Sequence, residues 1–160
     1  MTITPETRAE AERLFAAFRA AGAVPVEADV LQPAEILLDL YGEDIRARAY
    51  VTQDPIRGEV MLRPDFTVPV VQMHMENGAE PARYCYLGEV FRKRREGGAE
   101  FFQYLQVGFE LFDRDAVAAD AEVFALFSEL VQGLGLRPLI GDIGILLAAI
   151  EGLTTTARRK

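Results

Sequence analysis

The chain has one cysteine, Cys85, and one histidine, His74, among its 160 residues. A lone cysteine excludes an internal disulfide and fits a reducing compartment. One residue of each kind cannot assemble a zinc site from soft ligands. Any Ser-His-Asp or Cys-His group would have to use His74, and no such arrangement stands out. The phosphate-cradling loops GxGxxG and GxxxxGK[ST] are also missing. No apolar run approaches the ~20 residues that span a bilayer. The opening "MTITPETRAEAERLF" carries acids and lacks the basic-then-apolar order of a signal peptide. A net charge of −8 disfavours nucleic acid as the main partner, because phosphate recognition needs a basic surface. No metal, no cofactor and no membrane partner are expected, and the expected location is cytoplasmic.

Half of the residues are hydrophobic and 26% charged, an ordinary globular composition, and the length is that of one domain over 1–160. Ala11, Leu14, Phe15, Phe18 and Ala21 recur at helical spacing in residues 5–21, with Gly22 as the stop. The apolar run Ile36–Leu40 ends at Gly42 and is followed by an alternating, strand-like piece. A strand up to Arg63, a turn at Pro64-Asp65 and a helix from Thr67 come next, with Pro69 in the helix's first turn. A hairpin follows. After it, Val117, Ala121, Phe124, Phe127, Val131 and Leu134 form a helical stripe behind Asp115 as N-cap. "LRPLIGDIGILLAAIEGL" predicts a strand, a turn at Gly141-Asp142 and a last helix. Strands and helices do not alternate regularly, which favours an antiparallel sheet with helices on one face over a Rossmann arrangement.

The hairpin "FRKRREGGAEFFQYLQVGFELF", residues 91–112, holds the residues of most interest. On its second strand Gln106, Gly108 and Glu110 point one way, and Leu105, Val107, Phe109 and Leu111 the other. The apolar set is the side that packs on helices. The polar set has a glycine at its centre, which predicts a dip open to a ligand. Tyr86, Gly88, Val90 and Arg92 share a parity on the first strand and repeat the glycine. On the residues alone, this stripe is either a solvated face or the floor of a pocket. Asp65 and Thr67 likewise are either helix caps or ligand groups for an ammonium. The "RKRR" run, Arg92–Arg95, reads as a solvated hairpin tip, and His74 as structural.

Taken in order, "LRPDFT", "ARYCYLGEVFR" and "FQYLQVGFELF" resemble the "LRPEGT", "FRxER" and "QxGxE" segments of histidyl-tRNA synthetase, a class II synthetase. The resemblance runs over residues 5–135. Pro33 falls near the proline of that family's dimer-forming first motif. The fold this implies is α+β, a class II synthetase-like antiparallel sheet flanked by helices. Carried over by residue, the resemblance implies a histidine site. Asp65 and Thr67 would meet the ammonium, and Gln106 the ammonium or carboxylate. Glu110 would take the imidazole N–H, and Arg92 would lie between the carboxylate and a phosphate.

Three departures bear on function. Arg94 stands where the synthetases carry a glutamate for the adenine amino group. Glu100 stands where they carry a phosphate-gripping arginine, and "PDF" replaces "PEG". Losing one preorganised phosphate ligand costs about 3 kcal/mol of transition-state stabilisation, and a carboxylate in its place is worse. Together with "GDIGI", the pattern is similar to the synthetase-like regulatory subunits of ATP phosphoribosyltransferase. That resemblance implies a non-catalytic protein that assembles with the short-form catalytic subunit in the first step of histidine synthesis. It further implies histidine as ligand, self-association as dimers around Pro33, and no tRNA partner. The rival readings are a histidyl-tRNA synthetase and a stand-alone histidine-binding module. The missing third motif and the polar "TTTARRK" lead to the expectation that the chain is the N-terminal part of a longer protein. Arg94 and Glu100 predict that histidine-dependent ATP–pyrophosphate exchange stays at background. Clear turnover would restore the synthetase reading.

Overall fold

Thr4 caps the first helix by accepting the Thr7 N–H at 3.2 Å, and Pro5 occupies the first turn, where its missing donor costs nothing. Helix α1 (Pro5–Ala20) ends at Gly22, whose φ of +89° suits glycine. These coordinates come from a computed structural model that describes residues 3–93 and 101–153. Arg94, Arg95, Glu100 and the terminal "TTTARRK" lie outside the described residues. The chain divides into two compact units, residues 1–130 and 131–160.

In the first unit, α1 is followed by β1 (Val24–Pro25), β2 (Leu31–Pro33) and α2 (Ala34–Tyr41), which Gly42 terminates. The strand-like piece expected after Gly42 is instead a short helix, α3 (Asp44–Arg48), before β3 (Val51–Asp54). Ile45 and Ala49, four apart, are buried together against Leu37 and Met61, while Ala47, which a strand would bury with them, is exposed. Strand β4 (Gly58–Leu62) pairs antiparallel with both β2 and β3. Helix α4 (Thr67–Asn77) then leads to the hairpin of β5 (Ala82–Lys93) and β6 (Phe101–Phe112), and α5 (Ala116–Leu130) follows. Asp115 caps α5 through the Ala118 N–H at 3.0 Å. Two three-stranded sheets result, β1-β5-β6 and β2-β4-β3, where one antiparallel sheet was expected. The β1–β5 pairing is parallel.

Helices flank both faces of the hairpin rather than one. On one face Phe109 and Cys85 are buried with Phe18 of α1 and Ala23, and Val123, Leu126 and Leu130 of α5 pack on them. On the other, Phe66 and Val70 meet Tyr86 and Val90. The α5 stripe therefore differs from the predicted one. Val117 is 80% exposed and Phe124 faces outward, although Phe127 still reaches Phe18 at 5.4 Å between ring centres. The helix has apolar residues in two overlapping phases, and the position of Phe18 and Phe109 selects one of them.

The second unit holds α6 (Ile143–Glu151), capped by Asp142 through the Gly144 N–H at 2.7 Å. No strand precedes it. Residues 136–140 have no ladder partner among the described residues, and Leu136, Leu139 and Ile140 are exposed. Among the described residues no helix is long and apolar enough to cross a membrane. Phe18, 2% exposed and touching two rings, is the test of the main core. Phe18→Ala should lower unfolding stability by about 3–5 kcal/mol in denaturant titrations. Ile56→Ala, at a side chain 94% exposed, should stay within about 0.5 kcal/mol of wild type.

Candidate functional site

The β5–β6 register places Gly88 opposite Gln106, Tyr86 opposite Gly108, and Tyr84 opposite Glu110. The polar stripe thus faces away from Phe18, as alternation along the strand requires. Its two glycines are not open dips. A Cβ on Gly108 would collide with the Tyr86 ring, and one on Gly88 would lie 2.5 Å from Phe66 Cζ. The two rings stack in parallel, 4.6 Å between centres and 5° apart in tilt. Glycine is needed here because an aromatic neighbour lies on the backbone, which corrects the expectation of a floor open to a ligand.

Arg63 holds this arrangement from beneath. It is buried, with Nε donating to the Glu89 carbonyl at 2.8 Å and Nη1 donating to the Ala28 carbonyl. Its own N–H donates to Val30 O and its carbonyl accepts the Phe91 N–H. Burial pulls the guanidinium below its usual pKa, against the opposing pull of Glu89 and Asp29. The guanidinium carbon sits 4.2 Å from the centre of the Phe66 ring, a cation–π contact in a shielded place. Arg63 thus ties the start of the turn Pro64–Asp65–Phe66–Thr67 to β5.

The five residues expected to bind histidine do not form one group. Thr67 Oγ1 donates to Glu110 Oε1 at 2.8 Å, and the Tyr86 hydroxyl donates to the same oxygen at 3.2 Å. Thr67 is thus engaged with Glu110 instead of standing free for an ammonium. Asp65 turns the other way, accepting the Tyr41 hydroxyl at 3.3 Å and the Val68 N–H at 3.4 Å. Asp65 and Arg92 line a cleft of about 200 Å³ together with Tyr41, Ile45, Arg48 and Pro64. Arg92 is aimed by its Nε, which donates to the Pro64 carbonyl at 2.7 Å, and its guanidinium lies 5.6 Å from the Tyr104 ring. Gln106 has its Oε1 buried with no donor among the described residues.

The cleft combines two guanidiniums with a carboxylate and a phenol, a set suited to a zwitterion or a small anion. Its volume is below the ~300–1,000 Å³ of pockets for drug-sized ligands and suits a molecule of amino-acid size. Burial, then Asp65, raises the Tyr41 pKa, so its hydroxyl stays a donor. Tyr41 and Arg48 were not among the expected residues. They arrive from α2 and α3, which the sequence alone does not bring to Asp65. Phe66 had a signal in the "PDF" that replaces "PEG". His74 is buried, as expected of a structural residue. Its ring stacks on Phe112 at 3.9 Å between centres, and Nδ1 lies 3.1 Å from the Tyr84 hydroxyl.

Comparison with known proteins gives concordant results. The sequence profile of the histidyl-tRNA synthetase family matches residues 5–159. The chain is 44% identical over 155 residues to an ATP phosphoribosyltransferase regulatory subunit of Mesorhizobium japonicum, covering 93% of this chain and 40% of that protein. It is 42% identical over 146 residues to the protein of the same name from Rhizobium rhizogenes, covering 88% and 38%. The chain therefore spans about two fifths of the length of these curated relatives. In three dimensions it superposes with a TM-score of 0.80 on a solved ATP phosphoribosyltransferase regulatory subunit/histidyl-tRNA synthetase from Bacillus halodurans. That match has 22% identity and covers 99% of this chain and 43% of the other, so it speaks to the fold.

Tyr86 provides a direct check on the geometry. Burial, with a further contribution from Glu110 and against the Thr67 hydrogen bond, pushes its pKa up to about 12. An unfolded tyrosine titrates near 10. Between these values the unfolded chain loses a proton that the folded one keeps. Stability from this group is thus complete below pH ~10 and is lost as pH rises toward 12, by about 3 kcal/mol in all. Phenolate absorbance should show a tyrosine titrating near 12 that Tyr86→Phe removes. The variant should also lose less stability between pH 9 and 11. Identical alkaline losses in both proteins would contradict the buried hydroxyl.

Proposed function

The chain belongs to the histidyl-tRNA synthetase family, and we propose that within it this protein is a non-catalytic regulatory subunit of ATP phosphoribosyltransferase. The observation that carries this reading is the 42–44% identity, over most of this chain, to proteins bearing that name. Such a subunit assembles with the short-form catalytic subunit, is needed for its activity, and helps make it sensitive to histidine. The residues support the same reading from another side, since Arg94 and Glu100 reverse the charges on which ATP binding in the synthetases depends.

Histidine is the proposed ligand. The Asp65–Arg92 cleft, with Arg48 beside it, offers partners of both signs to the ammonium and carboxylate of an amino acid. Glu110, held by Thr67 and Tyr86, offers a carboxylate to the imidazole N–H. Gln106, whose buried oxygen has no donor among the described residues, offers an acceptor to the ammonium. Regulation requires that histidine bind one assembly state better than another, by about 1–3 kcal/mol of coupling in typical systems. The surface at Pro33, where Glu35, Leu38 and Asp39 line a hollow of about 480 Å³, is the proposed self-association face. Neither tRNA nor a membrane is a proposed partner, and the proposed location is the cytoplasm.

The test is reconstitution. The whole protein, mixed with a short-form catalytic subunit, should co-elute with it in size-exclusion chromatography and raise its phosphoribosyl transfer to ATP. Added histidine should lower that activity. A catalytic subunit equally active and equally histidine-sensitive with and without this protein would overturn the assignment.

A further inference from the structure

Phe66 lies between the two groups of residues proposed to hold histidine. On one side Asp65 turns toward Tyr41 and the cleft with Arg92. On the other, Thr67 turns toward Glu110 and Tyr86. Phe66 itself is 2% exposed and stacks on Tyr86, with its tip against the backbone of Gly88 and the Arg63 guanidinium against its ring. Gly88 is paired with Gln106, the residue whose buried oxygen has no donor among the described residues. An aromatic side chain is thus already seated on the polar stripe, in the contacts a flat, ring-bearing ligand would make.

We propose that Phe66 is an internal plug, whose ring fills the space an imidazole-bearing ligand needs to reach from the Asp65–Arg92 cleft to Glu110. Ligand binding and displacement of Phe66 from Tyr86 are then one event. The inference rests on the histidine reading of this site and adds its control. In the closed arrangement the cleft and Glu110 are separate, and only the displaced state joins them. The apparent affinity is reduced by the fraction of molecules in which the ring has moved out, and a variant without the ring escapes that reduction. Because Phe66 directly precedes α4, its displacement moves the start of that helix, which gives the ligand a mechanical output.

Three proteins test this in whole-chain form: wild type, Phe66→Ala and Phe66→Leu. Calorimetric titration with histidine should show roughly tenfold or tighter binding for Phe66→Ala than for wild type, with Phe66→Leu between. Imidazole alone should raise the melting temperature of Phe66→Ala more than that of wild type. The chain has five tyrosines and no tryptophan, so near-ultraviolet circular dichroism reports on tyrosine. Histidine should change that signal in wild type as Tyr86 loses its stacking partner, and less so in Phe66→Ala. Phe66→Leu keeps an apolar side chain in the core and serves if Phe66→Ala does not fold. Histidine binding that is equal or weaker in the folded variants overturns the plug alone. No binding by any of the three removes the ligand reading and the plug with it, while activation of the catalytic subunit is measured independently of both.

Discussion

The pairing of β5 with β6 is the constraint on which the rest of the first unit depends. Twelve residue pairs, from Ala82–Phe112 to Lys93–Phe101, run without a break. One register sets two faces at once. The face with Cys85 and Phe109 becomes the floor on which α1 and α5 pack, and the face with Tyr86, Gly88, Gln106 and Glu110 receives Phe66 and Val70 and carries the candidate site residues Gln106 and Glu110. A slip of one residue would put Glu110 and Gln106 against Phe18 and expose Phe109. Core and site are therefore specified by the same hydrogen-bond ladder, and neither can be shifted without the other.

Arg63 links that ladder to the turn before α4. A buried guanidinium needs its donors satisfied, and the carbonyls of Glu89 and Ala28 satisfy them only if β5, the β1–β2 connection and the end of β4 keep their places. The consequence reaches the site through Phe66, whose ring meets both the Arg63 guanidinium and the Tyr86 ring. Asp65 and Thr67, one residue apart on either side of it, are thereby sent to different partners. This is how one short segment serves both the cleft and Glu110.

Likeness of fold and likeness of role separate in this family. The superposition on the Bacillus halodurans protein rests on 22% identity and speaks to the backbone arrangement. The inference about role rests on the regulatory subunits at 42–44% identity.

Local rules were enough for much of this protein. Alternation assigned the two faces of β6, because side-chain direction in a strand depends on parity alone. Gly22 and Gly42 marked helix ends because a positive φ is cheap only for glycine, and Asp115 marked a cap because a short oxygen reaches the first free N–H groups. The order of three motifs identified the family. Tertiary structure decided the rest. Which phase of α5 is buried depended on where Phe18 and Phe109 stand, and Ile45 became helical because Leu37 was there to receive it. Tyr41 and Arg48 joined Asp65 only through the folding of α2 and α3 against the Pro64 turn. Whether Gly88 and Gly108 were dips or seats could not be read from the chain, because a glycine signals that something comes close and only the fold says what. Here it is Phe66 and Tyr86, side chains of the protein itself.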